Sequence, residues 1–338
     1  MKCVLPVVHG VLMLRRIAAV AALAAPGVAP PTFAQAAGNA YPNKPLRVIV
    51  PFAAGGPSDI FVRTIGPKLT EAWGQPVVIE NRGGAGGVIG IELAVRAAPD
   101  GYTLLLGASG ALVINPAFNS KLPYDSFRDL APITLVVVNP QLLVFHPSLA
   151  ANSVQELIQV AKAKPGQLNY ASVGAGSSPH MGMEMLKAMA GVNLTHVPYK
   201  GTAPALTDLL GGQVSLMFTS MATVLPQVRA GKLKAIAVGS GKRSPAVPEI
   251  PTVAESGVPG FDYVTWFAFY APAGTPADII ARLNKETVRI LADPQVGKYF
   301  SSQGAEPSAT TPAGLATFMR TEHERWKKLI KSAHIKID

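Results

Sequence analysis

The feature that most restricts the fold of this chain is the alternation of short β-type runs with helical patterns from Tyr41 to Val238. Strand-like runs fall at 46–51, 77–80, 103–106, 133–138, 142–145, 169–172, 195–197, 214–219 and 233–238. Helical periodicity fills 58–73, 88–97, 153–163, 178–190, 203–210 and 222–230. Repeated βα units call for parallel strands with helices packed on both faces. Ser153 followed three residues later by Glu156 adds a capping box to one of these helices. So many strands exceed what one doubly wound sheet needs, and Asn139-Pro140 splits the apolar run at 133–145. Two sheets are therefore expected, with the chain crossing between them near 138–140 and again near 261–263. Lobe one then comprises 37–138 and 261–338, and lobe two comprises 139–260. After the second crossing come an aromatic extended segment at 261–271 and amphipathic helices at 276–291 and 312–332.

Composition agrees with an ordered two-lobe protein. Of 338 residues, 49% are hydrophobic and 15% charged, ample material for packed cores. The 32 glycines and 30 prolines stay below the share of ~25–30% that marks disorder. Residues 1–36 are expected to be a Sec-type signal peptide rather than part of the fold. Arg15 and Arg16 precede a short apolar stretch at 17–25, prolines break it, and small residues follow. That stretch is well short of the ~20 residues a membrane-spanning helix requires. Cleavage is placed near Ala34 or Ala36, and Met13, directly before Leu14-Arg15-Arg16, offers a second start site. The single cysteine, Cys3, leaves with the peptide, so a periplasmic mature chain carries no disulfide. Loss of Lys2, Arg15 and Arg16 lowers the net charge from +10 to +7. The basic residues are scattered and form no nucleic-acid motif. Steering of small anions and simple solubility are both open readings.

Two loops are placed to do chemistry. Pro51-Phe52-Ala53-Ala54-Gly55-Gly56-Pro57-Ser58-Asp59 and Gly174-Ala175-Gly176-Ser177-Ser178-Pro179-His180 each run from a strand end into a helix. A glycine-rich turn of this kind presents unpaired N–H groups at the positive end of a helix dipole, which favours an anion. Open α/β sheets bind ligands beyond these same strand ends. Ser58, Asp59 and Ser178 also suit plain N-cap roles, but two such loops in two lobes favour binding. His180 sits in the first helical turn behind the second loop, as a ligand contact or a packing residue. Tyr199, Thr219 and Trp266 end or occupy strands that would reach the cleft; Tyr199 and Trp266 also suit partly or wholly buried strand positions. The cluster Arg82-Gly83-Gly84-Ala85-Gly86-Gly87 lacks the third glycine of a dinucleotide fingerprint and reads as a structural turn. Gly107-Ala108-Ser109-Gly110 resembles a nucleophile elbow but continues with Ala111, leaving Ser109 as a cleft residue rather than a nucleophile. The histidines form no metal motif, and neither metal nor cofactor is expected.

The longer motifs are specific in combination. Tyr41-Pro-Asn-Lys-Pro-Leu-Arg-Val-Ile-Val-Pro-Phe-Ala-Ala-Gly-Gly, Ala98-Pro-Asp-Gly-Tyr-Thr-Leu, His196-Val-Pro-Tyr-Lys-Gly-Thr-Ala-Pro-Ala and Ile250-Pro-Thr-Val-Ala-Glu-Ser-Gly span the mature chain. With them the chain resembles the tripartite tricarboxylate transporter substrate-binding family, also called the Bug family. The resemblance implies an α/β fold of the periplasmic binding protein type (type II): two lobes, each with a mainly parallel sheet flanked by helices, joined by a double crossover. It implies a carboxylate held largely by backbone groups and water between the two loops, and no catalysis. Its ligands would be di- or tricarboxylates or aromatic acids. Its partners would be membrane subunits of a tripartite tricarboxylate-type transporter, or a sensor protein, with the binding protein itself a monomer and no nucleic acid involved. A secreted α/β hydrolase is the rival reading. Ala54 and Gly83 stand where the family often has proline, which removes no N–H donor.

Overall fold

The first lobe is organised by β1 (Leu46–Val50), an apolar run buried along nearly its whole length. In the computed structural model, which describes residues 41–333 and 335, the expected signal peptide and its cleavage sites lie outside the described residues. β1 pairs in parallel with β2 (Val77–Asn81) and β3 (Thr103–Ala108), α1 (Pro57–Trp73) and α2 (Val88–Val95) form the crossovers, and the short α3 (Asn115–Phe118) follows β3. β3 then pairs antiparallel with β9 (Val264–Pro272), and β9 pairs antiparallel with the first part of β4 (Leu130–Phe145). The short β10 (Glu306–Pro307) takes the far edge of β4.

The second sheet begins where β4 continues. Its segment Gln141–Phe145 pairs antiparallel with β7 (Leu216–Ser220) and with β8 (Lys234–Val238). β7 pairs in parallel with β5 (Asn169–Ser172), and β5 with β6 (Thr195–Pro198). The helices of this lobe are α4 (Val154–Ala163), α5 (Ser178–Ala190), α6 (Thr202–Leu210) and α7 (Met221–Arg229). The Ser153 hydroxyl accepts the Glu156 N–H at 3.1 Å, as the capping box requires, but the Glu156 carboxylate reaches one residue further back, to the Asn152 N–H at 2.7 Å.

The expected break at Asn139-Pro140 is absent, because β4 runs unbroken through both sheets. Proline lacks an N–H and is tolerated only where a ladder does not need one. Pro140 sits at such a place: it faces Val264 at the end of the β9 ladder, and pairing with β7 starts one residue later. The lobes are thus joined by β4, which runs through both sheets, and by the chain that enters β9 beside it. Gly239 strengthens the joint, donating its N–H to Gln141 and accepting that of Tyr263, both at 2.8 Å.

The C-terminal segment closes lobe one with α8 (Ala277–Leu291), α9 (Pro294–Ser302) and α10 (Pro312–Ser332). α10 lies over the crossing strands, with Phe318 and Trp326 against Trp266 and Tyr263 at centroid distances of 5.4 and 5.9 Å. α9 was not anticipated, although Asp293-Pro294 carries its start signal: the Asp293 side chain caps the Gln295 N–H at 2.8 Å. The lobe-one core centres on Phe61 of α1, held between Phe267 and Phe300 at 5.4 and 5.0 Å. Phe61→Ala is expected to cost ~3–5 kcal/mol, read from urea denaturation midpoints at constant slope. A loss below about 1 kcal/mol would show that this core collapses readily around the vacancy.

Candidate functional site

Both glycine-rich loops occupy the expected strand-to-helix junctions, β1 into α1 and β5 into α5. Two more helices start at the same place. Pro57 and Ser58 of α1, Ser178 and Pro179 of α5, Thr202 of α6 and Ser220 ahead of α7 all line one cavity between the lobes. Each helix start brings unpaired N–H groups and partial positive charge, so four of them make a strongly anion-favouring space. Gln141, Thr219 and Thr265 add neutral polar groups, and Phe52, Ala108, Val173 and Phe267 supply apolar wall. Among the described residues none that lines the cavity carries a charge. The Ser58 hydroxyl is buried and has no hydrogen-bond partner. The cavity measures ≈ 30 Å³, room for about two waters, so the lobes are shut upon each other.

The first loop is braced from below by Asp59. Its carboxylate accepts the Gly55 N–H at 3.0 Å and the Arg63 guanidinium at 2.9 Å, and Gly55 takes the left-handed conformation at φ +79° that glycine tolerates. Burial pushes the Asp59 carboxyl up, but hydrogen bonds from Arg63, the Gly55 N–H and Asn81 outweigh burial and hold it below the usual carboxylate range. A depressed carboxylate stabilises the fold above its unfolded value and loses that contribution as pH falls through its folded value. Asp59→Asn is accordingly expected to lower stability by ~1 kcal/mol near neutral pH, a figure kept small because Arg63 is half exposed. The difference from the parent should shrink in denaturant titrations as pH falls through the folded-state value, which lies below the ordinary carboxylate range. A deficit that persists unchanged in acid would mean that packing, not charge, is the cause.

The second loop is braced in the same manner. The Ser177 hydroxyl donates to the Gly174 carbonyl at 2.6 Å, and the Gly176 N–H donates to Nδ1 of His180 at 3.0 Å. Gly55 and Gly176, both among the expected ligand contacts, therefore direct their N–H groups into their own loops. Donors of the helix starts behind them are left for a ligand. His180 is buried beneath the loop and does not line the cavity.

Several sequence-selected residues lie at the seam between the lobes. The Gly110 N–H of lobe one donates to the Ser178 hydroxyl of lobe two at 3.0 Å, with Ser109 Oγ 3.4 Å from the same atom. Ala53 faces Gly201, and Gly56 faces Thr202. The third glycine cluster, read as a structural turn, packs against the second loop so closely that a Cβ on Gly86 would stand 2.1 Å from the Ala175 carbonyl oxygen. Ala175 and Gly176 border an outer opening with Ala85 and Asn115 rather than the cavity. Ala54 and Gly55 are exposed at the rim.

Of the other candidates, Phe52, Ser58, Ser178 and Thr219 line the cavity and two do not. Tyr199 turns to Asp208, its hydroxyl donating at 2.7 Å, and burial followed by that carboxylate pushes its pKa up to about 12. Trp266 is fully buried against Phe318. Strand alternation explains the second case: Thr265 and Phe267 point to the cavity, so the residue between them must point away. Thr202 and Ser220 were missed although they obey the strand-to-helix rule that found the two loops. Gln141, Thr265 and Phe267 come from the crossing strands, where no local signal marks a ligand face.

Two α/β lobes on a double crossover, shut over a neutral cleft lined by helix starts, are the architecture of a solute-binding protein. Residues 61–335 match the tripartite tricarboxylate transporter family receptor, and the chain belongs to that family of binding proteins. Protein BugT of Bordetella pertussis is 39% identical over 316 residues, which cover 93% of this chain and 96% of BugT. The structure of the periplasmic binding protein BugD superposes with a TM-score of 0.84 at 38% identity, over 88% of this chain and 99% of BugD. Rpa4515 of R. palustris with adipate gives 0.84 at 36% identity, covering 87% and 99% of the two chains. MatC from Rhodopseudomonas palustris with bound malate gives 0.83 at 34%, covering 86% and 100%.

Proposed function

We propose that this protein is exported to the periplasm, loses residues 1–36 or nearly so, and captures a small organic carboxylate between its lobes as a monomer. It would hand that acid to the membrane subunits of a tripartite tricarboxylate-type transporter. The moving bodies in this reading are 37–138 with 261–338, and 139–260. The observation that carries it is the convergence of four helix starts, with the unpartnered Ser58 hydroxyl among them, on a cavity without a charged side chain. A ligand carboxylate there gains N–H and hydroxyl donors from both lobes at once. Micromolar affinity corresponds to about −8 kcal/mol. Several charge-assisted hydrogen bonds of ~1.5–3 kcal/mol each supply much of that without an arginine. The adipate and malate held by two structural relatives favour an aliphatic dicarboxylate over an aromatic acid. The shut cavity is too small for either, so the lobes must open to admit ligand and re-close around it, a shift in a pre-existing equilibrium.

Calorimetry and thermal melting of ligand-free protein against adipate, malate, citrate and an aromatic acid test the reading. Binding of at least one acid with a ligand-dependent rise in melting temperature is expected. Silence across the whole panel would sink it.

A further inference from the structure

Beneath the second loop lies a polar stack that nothing in the binding reading uses. His180 of α5 and His196 of β6 lie face to face, centroids 4.0 Å apart at 11°, and Tyr170 of β5 stacks on His196 at 5.0 Å. Nδ1 of His180 accepts the Gly176 N–H at 3.0 Å. Nε2 of His196 lies 2.6 Å from the Ser172 hydroxyl, which accepts the Gly174 N–H at 3.0 Å. Both left-handed glycines of the loop, at φ +117° and +72°, are thus pinned by this layer. Because all of these partners belong to lobe two, the bonds do not depend on closure.

We propose that His180 is the positioning residue of this loop: its neutral imidazole fixes the start of α5, and its protonation releases the loop and weakens carboxylate binding. This rests on the proposed carboxylate reading of the cleft. Nδ1 can accept the Gly176 N–H only while unprotonated, because an imidazolium would oppose two donors. The ionisable groups around it are Tyr170, His196 and, on its own helix, Glu184 and Lys187. Tyr170 donates to Glu184 at 2.5 Å, Lys187 pairs with Glu184 at 2.7 Å, and His180 Nε2 lies 3.8 Å from the same carboxylate. β7 and the helical turn Gly110–Ile114 carry no ionisable side chain, and Tyr263, which packs on α5 at Gly182, donates its hydroxyl to the Ser178 carbonyl. An imidazolium would add positive charge near an anion site, but the Glu184 carboxylate offsets it. The sign is therefore set by the lost loop geometry.

The test compares the parent with His180→Asn, whose side-chain oxygen can accept the Gly176 N–H but does not titrate, and with His180→Leu, which cannot accept. Amide hydrogen exchange at 174–178 is measured on ligand-free protein and corrected for intrinsic rates, between about pH 7.5 and 6, around the ordinary histidine value of ~6.5. Parental protection should fall about tenfold on acidification, stay flat in His180→Asn, and be low throughout in His180→Leu. Adipate and malate affinities should follow the same pattern, both acids remaining ionised across this range. Parental protection in His180→Leu, or a parental pH profile in His180→Asn, would overturn the proposal. Failure of both acids to bind would count against the ligand assignment alone, since the exchange measurement still decides the role of His180.

Discussion

Gly110→Ala is expected to leave both lobes folded and to weaken carboxylate binding about a hundredfold, because the closed state becomes unreachable. An added Cβ would stand 2.2 Å from the Ser178 backbone nitrogen and 2.7 Å from its hydroxyl oxygen, across the seam between lobes. The Gly110 backbone is right-handed, so alanine fits its own lobe without strain and meets an obstacle only on closure. Gly201→Ala makes the same test from the other lobe, with its Cβ 2.5 Å from that of Ala53. Small-angle scattering should show a protein that no longer compacts with ligand, while its ligand-free melting temperature stays near the parental value. Parental affinity together with ligand-induced compaction in Gly110→Ala would mean that the seam is not the closing surface.

Ser58→Asp should separate stability from binding even more sharply. Position 58 is the second residue of α1, where a carboxylate complements the helix dipole by ~0.3–1 kcal/mol. Ligand-free melting should therefore be unchanged or slightly higher. Inside the cleft, however, the new charge would stand where the ligand carboxylate is proposed to sit. Two like charges ~4 Å apart at an effective dielectric constant of ~20 repel by about 4 kcal/mol, roughly a thousandfold in affinity. The neutral control Ser58→Ala loses one hydrogen bond and should cost no more than about tenfold. Calorimetry with adipate or malate at neutral pH reads all three proteins. Near-parental affinity in Ser58→Asp would remove α1 from the anion site.

The loops at Phe52–Asp59 and Gly174–His180 were legible because their signals are local. Glycine next to a helix start, after an apolar strand, has few structural uses, and the junction rule located both. The same rule, applied to Thr202 and Ser220, would have found the remaining two helix starts. What each N–H does was not legible. Gly55 and Gly176 look like donors awaiting a ligand, yet Asp59 and His180, each four residues on, accept them. Side chains from one turn further compete for loop donors, and spacing alone does not show which of them win. The third glycine cluster is the structural turn that its residues suggest, but what it packs against was not legible. Its glycines serve a surface more than eighty residues away, where Gly86 meets Ala175.

The chain alone thus determined the alternating α/β architecture, the two crossings, the glycine-rich loops at strand-to-helix junctions and the family resemblance. All of these follow from hydrophobic periodicity and residue chemistry over a few neighbouring positions. Only the tertiary structure decided that β4 passes unbroken through Asn139-Pro140, that Thr265 and Phe267 rather than Trp266 face the cleft, and that Gly110 and Gly86 come up against Ser178 and Ala175. Those outcomes depend on register and on close approach between segments far apart in the chain, where a shift of one residue or one methyl group reverses the answer.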